Sequence, residues 1–260
     1  MIADAELERL AAERRLVLKD EPATTIEVLG LGDDAVVRKT YRNRGLRWLQ
    51  TICRQSRAQR EHDNLAAVAA AGVPCLIALG WSERRRGCFV EQSTLLTRFV
   101  PDALPLQHLL RAEPATSAST RTTLARAMGA LLASLHRRGF LWSTPMPRNV
   151  LVQGEPSRGH LVVCDTPAVV SLNRDLHGGR LARIDLFLGA FSPSRRRDWQ
   201  RGERWRWLLG YCDGDLPTAR KLWRTMAPRG PLQNVVERAL AMAFFTYILG
   251  RLRRGRRTEH

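Results

Sequence analysis

Apolar and polar residues alternate with a period of two through the first part of the chain, a pattern typical of β-strands. Three such runs cover residues 15–19, 24–29 and 35–41. Turn-forming residues separate them, and the second connection, residues 30–34 (GLGDD), is a strong hairpin signal. The pattern predicts a three-stranded antiparallel meander, preceded by a short amphipathic helix over residues 2–14.

A helix with one apolar face is predicted after the meander, over residues 56–71. Its apolar stripe consists of Leu65, Val68 and Ala69, and the residues Gly72-Val73-Pro74 end the pattern. Two more strands are predicted over residues 75–81 and 88–99, on either side of a polar turn at residues 82–87. The pattern in this part of the chain therefore predicts a small sheet with one main helix.

Helical spacing dominates the rest of the chain. Thr120 is predicted to cap a long helix whose apolar positions recur every three or four residues until Gly139. A second hairpin is predicted from strands at residues 149–152 and 161–164, and from about residue 181 the pattern is helical, including residues 239–249. The sequence thus predicts an α+β fold with an N-terminal helix (residues 1–12), an antiparallel-sheet N-lobe (13–100) and a larger, mainly helical C-lobe with a basic tail (101–260).

Composition is that of a globular protein, since 44% of the 260 residues are hydrophobic and 26% are charged. The longest apolar run, residues 239–250, is too short to span a bilayer, and no signal-peptide pattern opens the chain. The five cysteines form no C-x-x-C pair, which argues against a disulfide framework or a cysteine zinc site. We therefore expect a soluble cytoplasmic protein.

The net charge of +17 favours an anionic partner such as a nucleotide, a nucleic acid or an acidic membrane surface. The only lysines are Lys19, Lys39 and Lys221, so the excess consists of arginine, and genome composition could equally produce it. Because lysine is so rare here, Lys39 in an apolar strand is a candidate for chemistry that needs lysine.

Four residues form an ordered set of candidates: Lys39, Glu61, Asn149 and Asp165. Glu61 lies in the predicted helix after the Lys39 strand and could turn toward the sheet, although an exposed helix carboxylate is the commoner case. Asn149 and Asp165 flank the second hairpin, and antiparallel pairing brings them to one end. Their oxygens suit magnesium that carries substrate phosphates, although such residues also serve as turn formers at strand ends.

The order of these residues resembles the protein-kinase-like fold, and more narrowly the bacterial lipopolysaccharide core kinases, which phosphorylate heptose or Kdo sugars. The segments that carry the resemblance lie within about residues 13–212: VVRKTYRNRG (36–45), RAQREHDNLAAVAAAGVP (57–74), LLTRFVP (95–101), LHRRGF (135–140), PRNVLV (147–152) and VVCDTP (162–167). The resemblance implies ATP and Mg²⁺ as ligands. It implies a Lys39–Glu61 pair, Asn149 and Asp165 as magnesium ligands, and adenine contacts from the hinge backbone at Thr97, Arg98 and Phe99.

The departures from the family pattern concern catalysis. Where the family carries a His-x-Asp triplet, this chain has Trp142-Ser143-Thr144, so Thr144 occupies the position of the base, and a threonine hydroxyl is a poor proton acceptor. The expected phosphate loop, residues 19–25, contains no glycine. These departures predict a pseudokinase that binds ATP and acts through a partner, either a lipopolysaccharide precursor or a protein. The alternative is an active sugar or lipopolysaccharide kinase with a displaced base, for which Asp165, Asp175 and His177 are the candidates.

Asp185 could correspond to the aspartate that braces the family's catalytic loop, or it could be a simple carboxylate near a helix N-terminus. The basic, tryptophan-rich stretch at residues 194–207 could bind nucleic acid, but a helix with one buried face is the favoured interpretation. Arg195, Arg196 and Arg197, with the tail residues Arg251, Arg253 and Arg254, could contact anionic lipid and hold the protein at the periphery of the inner membrane.

Overall fold

The computed structural model describes residues 4–45, 48, 51–112, 116–192 and 198–226. These residues form two compact units. The first extends to Ala103 and also contains Val162–Pro167, whereas the second runs from Leu104 to Leu161 and again from Ala168. The division differs from the predicted lobes in that Val162–Pro167, which contains Asp165, clusters with the first unit.

A five-stranded antiparallel sheet forms the first unit, with the strand order β1-β2-β3-β5-β4. The predicted meander is present as its first three strands. The elements are α1 (Asp4–Glu13), β1 (Arg15–Glu21), β2 (Thr24–Leu29), β3 (Val36–Arg42), α2 (Arg57–Ala70), β4 (Ala78–Arg86) and β5 (Phe89–Arg98).

The polar turn predicted at residues 82–87 is wrong, because β4 continues through Arg86 and turns only at Gly87, which has a φ of 59°. Ser82 pairs with Thr94, and Glu83 pairs with Ser93. Since β4 is an edge strand, its charged side chains can extend into solvent while its backbone completes the sheet. The polar composition of residues 82–87 therefore led to a wrong turn prediction at this edge of the sheet.

One face of α2 is buried in the first unit. Its buried residues recur at helical spacing: Ala58, Glu61, Leu65 and Val68. Ser56 caps the helix, since its hydroxyl accepts a hydrogen bond of 3.1 Å from the amide of Gln59. A carboxylate within an otherwise apolar stripe needs a compensating partner, which makes Glu61 a residue of interest.

The second unit is mainly helical and is built on the long helix α4. Its elements, with short strands at its borders, are β6 (Ala103–Pro105), α3 (Leu106–Arg111), α4 (Ala118–Arg137), β7 (Phe140–Leu141), β8 (Val150–Gln153), β9 (Leu161–Val163), β10 (Val170–Ser171), α5 (Arg180–Leu186) with a π-helical turn (Phe187–Phe191), α6 (Arg201–Tyr211) and α7 (Leu216–Met226). The predicted cap at Thr120 is wrong by one turn, because Ser117 accepts the hydrogen bond from the Thr120 amide at 3.2 Å.

Close packing of α4 against α6 depends on two glycines. A Cβ atom at Gly129 would overlap the backbone carbonyl of Trp207, and one at Gly210 would overlap that of Arg126. The indoles of Trp199 and Trp207 are fully buried, so neither can stack on a nucleic-acid base. Of the predicted helix, residues 201–207 are helical and continue as α6 with Trp207 buried, whereas Trp199 lies before the helix.

Several predictions fall on residues that the structure does not describe: the apolar helix at residues 239–249, Arg195, Arg196 and Arg197, and the tail residues Arg251, Arg253 and Arg254. Within the described part of the chain, no helix combines the length and the apolar character needed to cross a membrane.

Candidate functional site

Lys39 lies in the middle of β3, where its side chain shares a face of the sheet with Val37 and Tyr41. Its ammonium donates to Oε1 of Glu61 at 2.8 Å and to Oδ1 of Asp165 at 3.0 Å. One cation thus connects two carboxylates that are 104 residues apart along the sequence (165 − 61). All three residues belong to the first unit.

Glu61 is fully buried, and both of its carboxylate oxygens have hydrogen-bond donors. Lys39 donates to Oε1, and the Tyr41 hydroxyl donates to Oε2. Burial opposes the negative charge and raises the pKa of the carboxyl, while the Lys39 ammonium works against that rise. The two donors therefore compensate a charge that the apolar surroundings of α2 disfavour.

Asp165 is held in the first unit by the segment that precedes and follows it. Val163 forms a parallel bridge to Cys75, with its amide bound to the Pro74 carbonyl at 3.0 Å. The Thr166 hydroxyl donates to the Glu61 carbonyl at 3.2 Å, and Asn64 donates to the Thr166 carbonyl at 2.6 Å. Backbone contacts on both sides thus position the carboxylate next to Lys39.

Electrostatics favour the charged forms of Lys39 and Asp165. Burial would lower the pKa of Lys39, but the carboxylate of Glu61, with Asp165, raises it well above its ordinary value. Burial would likewise raise the pKa of Asp165, but Lys39 and then Arg57 bring it below its ordinary value. The cluster is therefore a fixed set of opposite charges that presents a cation and a hard oxygen ligand.

Tyr41 and Arg57 belong to the same cluster, and sequence reasoning missed both. The Arg57 guanidinium lies 4.4 Å from the centre of the Tyr41 ring and 3.9 Å from Oδ1 of Asp165. Their spacing carried a signal, because Tyr41 follows Lys39 by two residues on a strand and Arg57 precedes Glu61 by one helical turn.

The segment predicted to hold adenine lies at the end of β5, and two of its backbone amides are bound to other backbone groups. The Arg98 amide donates to Ile77 at 2.9 Å, and the Phe99 amide donates to Ala35 at 3.0 Å. Thr97 is buried and pairs with Val37. The amides of Arg98 and Phe99 are thus engaged within the first unit, and the adenine contact from the backbone of Thr97, Arg98 and Phe99 stays a prediction.

The predicted phosphate loop connects β1 to β2, and its charged residues form local contacts. Lys19 pairs with Glu21 at 3.0 Å, and the Thr25 hydroxyl donates to Asp20 at 3.1 Å. Gly30 lies in the connection after β2, where its φ of 81° and the close approach of the Leu10 side chain favour glycine, and its amide donates to the Leu10 carbonyl at 3.0 Å. Glycine here serves the attachment of α1.

In the second unit, Thr144 and Asn149 lie in one compact loop. The Asn149 amide group donates to the Thr144 carbonyl at 2.9 Å, and the Met146 amide donates to the same oxygen at 2.7 Å. Asn149 is buried, with an exposed fraction of 4%. Because its nitrogen binds Thr144, its side-chain oxygen is the atom that a cation would meet.

Asp185 braces this loop. The carboxylate is fully buried and accepts hydrogen bonds from the backbone amides of Trp142 at 2.6 Å and Ser143 at 2.8 Å. His136 contacts the same carboxylate at 3.2 Å. Asp185 lies in the last turn of α5, so the interpretation as a carboxylate near a helix N-terminus is wrong.

The candidates for a displaced base in the second unit have structural partners. The His177 ring stacks on Tyr211 at 4.5 Å, and its Nε2 lies 2.9 Å from the Tyr211 carbonyl. Asp175 accepts a hydrogen bond from the His177 amide at 2.7 Å. Both side chains thus stabilise the turn before α5. Within the described ranges, no three His, Cys, Asp or Glu side chains converge as a metal-binding group.

Comparison with known proteins identifies the fold and the family of the chain. No curated protein sequence matches the chain. Among solved structures, one described as WaaP in complex with acyl carrier protein matches with a TM-score of 0.57 and 16% identity, covering 95% of this chain and 92% of that one. This likeness confirms the predicted kinase-like fold. The model of the lipopolysaccharide kinase (Kdo/WaaP) family matches residues 24–166, more than half of the sequence, and the chain therefore belongs to that family.

Proposed function

We propose that this protein binds ATP with Mg²⁺ and transfers phosphate weakly or not at all. The observation that carries the proposal is the Lys39 ammonium, which lies between the carboxylates of Glu61 and Asp165. In the family pattern such a lysine contacts nucleotide phosphates, and Glu61 would fix its position. Arg57 adds a second cation beside Asp165.

The two proposed magnesium ligands have a suitable chemical type. Asp165 offers a carboxylate oxygen, and Asn149 offers an amide oxygen. Both are hard ligands of the kind that Mg²⁺ prefers. Bound Mg²⁺ would neutralise charge on the nucleotide phosphates, and Lys39 would hold those phosphates in position.

Weak transfer follows from Thr144. The loop around it is rigidly held, because Asp185 binds the amides of Trp142 and Ser143 and Asn149 binds the Thr144 carbonyl. Residues 139–149 contain no Asp, Glu or His, so no neighbouring loop residue replaces the missing base. A general base contributes about 10²- to 10⁴-fold to the rate, so positioning without it leaves a slow enzyme or a pseudoenzyme.

A family member that does not transfer phosphate would act by binding a partner. The matching solved structure is described as WaaP in complex with acyl carrier protein, which supports a protein partner for this chain. A lipopolysaccharide precursor is the second candidate, on the basis of the family. Copurification from cells, compared between wild type and Lys39→Met, tests whether partner binding depends on the nucleotide site.

Thermal unfolding with ATP, with and without magnesium, tests nucleotide binding. A ligand that binds only the folded state stabilises it by about 2.7 kcal/mol at 100 times its Kd. We expect a magnesium-dependent rise in Tm for wild type, and no rise for Lys39→Met or Asp165→Ala. Lys221→Met removes an exposed lysine of α7 and should behave as wild type. No shift for wild type at millimolar ATP would refute the proposal.

Turnover separates the pseudokinase from the active kinase. Radiolabelled ATP is incubated with core-truncated lipopolysaccharide, and transfer to the sugar is measured. Fast transfer that is lost in His177→Ala or Asp175→Ala, with ATP binding intact, would favour the displaced-base hypothesis. Absent or very slow transfer in wild type is the result that the proposal predicts.

A further inference from the structure

The face of the first unit's sheet opposite Lys39 carries a polar cavity. Residues alternate along β3, so Lys39 and Tyr41 point to one face while Arg38, Thr40 and Arg42 point to the other. On that second face, side chains from β1, β2, β3 and β5 line a groove of about 360 Å³ that is open to solvent along β1. We name this space the sheet cavity. It does not include Lys39, Glu61 or Asp165.

Helix α1 covers only one end of this face. Leu10 of α1 packs against Leu29 and Val36, which are buried there. Leu29 on β2 pairs with Val36 on β3. The next pairs on the same face are Glu27 with Arg38 and then Thr25 with Thr40. The sheet cavity therefore begins where these cross-strand pairs change from apolar to polar residues.

Glu27 is one of the residues that line the sheet cavity and is only 3% exposed. The side chains of Arg15 and Arg38 donate to its two carboxylate oxygens at 2.7 and 2.9 Å. Burial would raise the pKa of Glu27, but Arg38 and Arg15 bring it below its ordinary value. The carboxylate is therefore charged, and it holds two guanidinium groups in fixed positions.

A second chain of hydrogen bonds lines the part of the sheet cavity beyond Glu27 and Arg38. Arg42 donates to the Thr25 hydroxyl at 2.6 Å, and that hydroxyl donates to Asp20 at 3.1 Å. Thr25 and Thr40 are 6% and 7% exposed. An ordinary solvated sheet face keeps its polar side chains exposed, whereas here a carboxylate and two hydroxyls are buried around a cavity.

We propose that the sheet cavity binds a phosphorylated sugar. Three arginines face two carboxylates, Asp20 and Glu27, which leaves an excess of one positive charge for an anion. Hydroxyl, amide and carboxylate groups around the arginines suit the hydroxyls of a sugar ring. Val17 is the one apolar residue of the lining, so an apolar ligand has no complementary surface. The volume lies within the range of small-molecule sites, roughly 300–1,000 Å³.

Calorimetric titration with glucose 6-phosphate tests the proposal, with glucose and inorganic phosphate as comparison probes. Wild type should bind the sugar phosphate saturably and more tightly than either comparison probe. Arg42→Gln should weaken binding by at least about tenfold, because it removes a charge-assisted donor while leaving no buried charge unpaired. Arg86→Gln, at the exposed end of β4, is the charge-matched control and should bind as wild type. Far-UV circular dichroism of each variant checks the fold.

Competition separates the nucleotide site from the sheet cavity, because ATP with magnesium should not displace glucose 6-phosphate. Displacement of the sugar phosphate by lipopolysaccharide micelles would assign the natural ligand to a glycolipid, and failure to displace it would assign a soluble sugar phosphate; either outcome supports the site. Equal affinity in Arg42→Gln and wild type, equal binding of glucose, or no saturation at millimolar concentration would overturn the proposal. None of these outcomes depends on ATP binding.

Discussion

Replacing Lys39 by methionine removes the cation that two carboxylates share. Methionine has a similar length, so the side-chain volume is nearly kept while the charge is lost. Glu61 is the residue most affected, because it is fully buried and retains only the Tyr41 hydroxyl as a side-chain donor. Asp165 still has Arg57 at 3.9 Å and is partly exposed. The variant therefore leaves one buried carboxylate without a counter-charge.

The structure sets the size of the effect. At 2.8 Å and an effective dielectric constant of about 20, the attraction between Lys39 and Glu61 is roughly 6 kcal/mol. Desolvation of both groups cancels part of this attraction, and removal of one partner of a buried pair costs about 3–5 kcal/mol. We expect Lys39→Met to lower the free energy of unfolding by that amount at neutral pH.

A second substitution makes the test specific. In the wild-type background, Glu61→Gln removes an anion from a paired cation and should destabilise the protein. In the Lys39→Met background, the same change removes an unpaired buried charge and should stabilise it. The sign of the effect of Glu61→Gln therefore reverses between backgrounds, which simple loss of packing cannot produce.

The pH dependence follows from the same cause. Without the ammonium, burial holds the pKa of the Glu61 carboxyl above its ordinary value of 4.5. A group whose pKa is raised by folding stabilises the protein at low pH and loses that contribution as the pH rises through the folded-state pKa. The stability difference between Lys39→Met and wild type should therefore shrink as the pH is lowered toward 4.5.

Urea unfolding followed by far-UV circular dichroism measures these free energies for wild type, both single variants and the double variant. Lys221→Met, an exposed lysine, should change stability by less than about 0.5 kcal/mol. If Glu61→Gln has the same cost in both backgrounds, within about 0.5 kcal/mol, the two side chains are not coupled and the reasoning is refuted.

Thr144→Asp should raise phosphate transfer by about 10²- to 10⁴-fold, since it supplies the missing base, whereas Thr144→Asn should not; equal rates in the two variants would contradict the assignment. Asp185→Ala should lower the free energy of unfolding by roughly 3–6 kcal/mol, because two backbone amides lose hydrogen bonds to a charged group; urea midpoints measure it. Gly129→Ala should lower Tm by several degrees, since its Cβ would overlap the Trp207 carbonyl, whereas Gly202→Ala has open space. The pKa of Asp165 is depressed by folding, so its stabilising contribution, present above its unfolded-state pKa, should be lost as the pH falls below about 4, and Asp165→Asn should flatten that part of the stability profile.

The fold and the family were predictable from sequence because their signals are local and ordered. Period-two alternation defined β1 to β3, helical spacing defined α2 and α4, and the order of the kinase-like segments indicated the rest. The resemblance also selected Lys39, Glu61 and Asp165 from many charged residues. Errors occurred at the polar edge strand β4 and at the Ser117 cap, where local composition does not record pairing or capping.

The site itself depended on contacts between distant parts of the chain. Spacing places Tyr41 on the same face as Lys39 and Arg57 on the same face as Glu61. The contacts of these residues with each other and with Asp165 also require β3, α2 and the segment around Thr166 to meet, which spacing does not specify. The choice between two roles for Asp185 was likewise made by its burial and by the two amides that it binds.

The sheet cavity shows the same division between sequence and structure. Sequence alternation determined that Arg38 and Arg42 share a face and that Lys39 points to the other. Only the tertiary structure determined that Glu27 is buried beneath two arginines, because burial depends on the neighbouring strands and on how far α1 covers the face. A periodic pattern specifies the direction of a side chain, whereas its environment, and hence its charge and chemistry, is set by long-range packing.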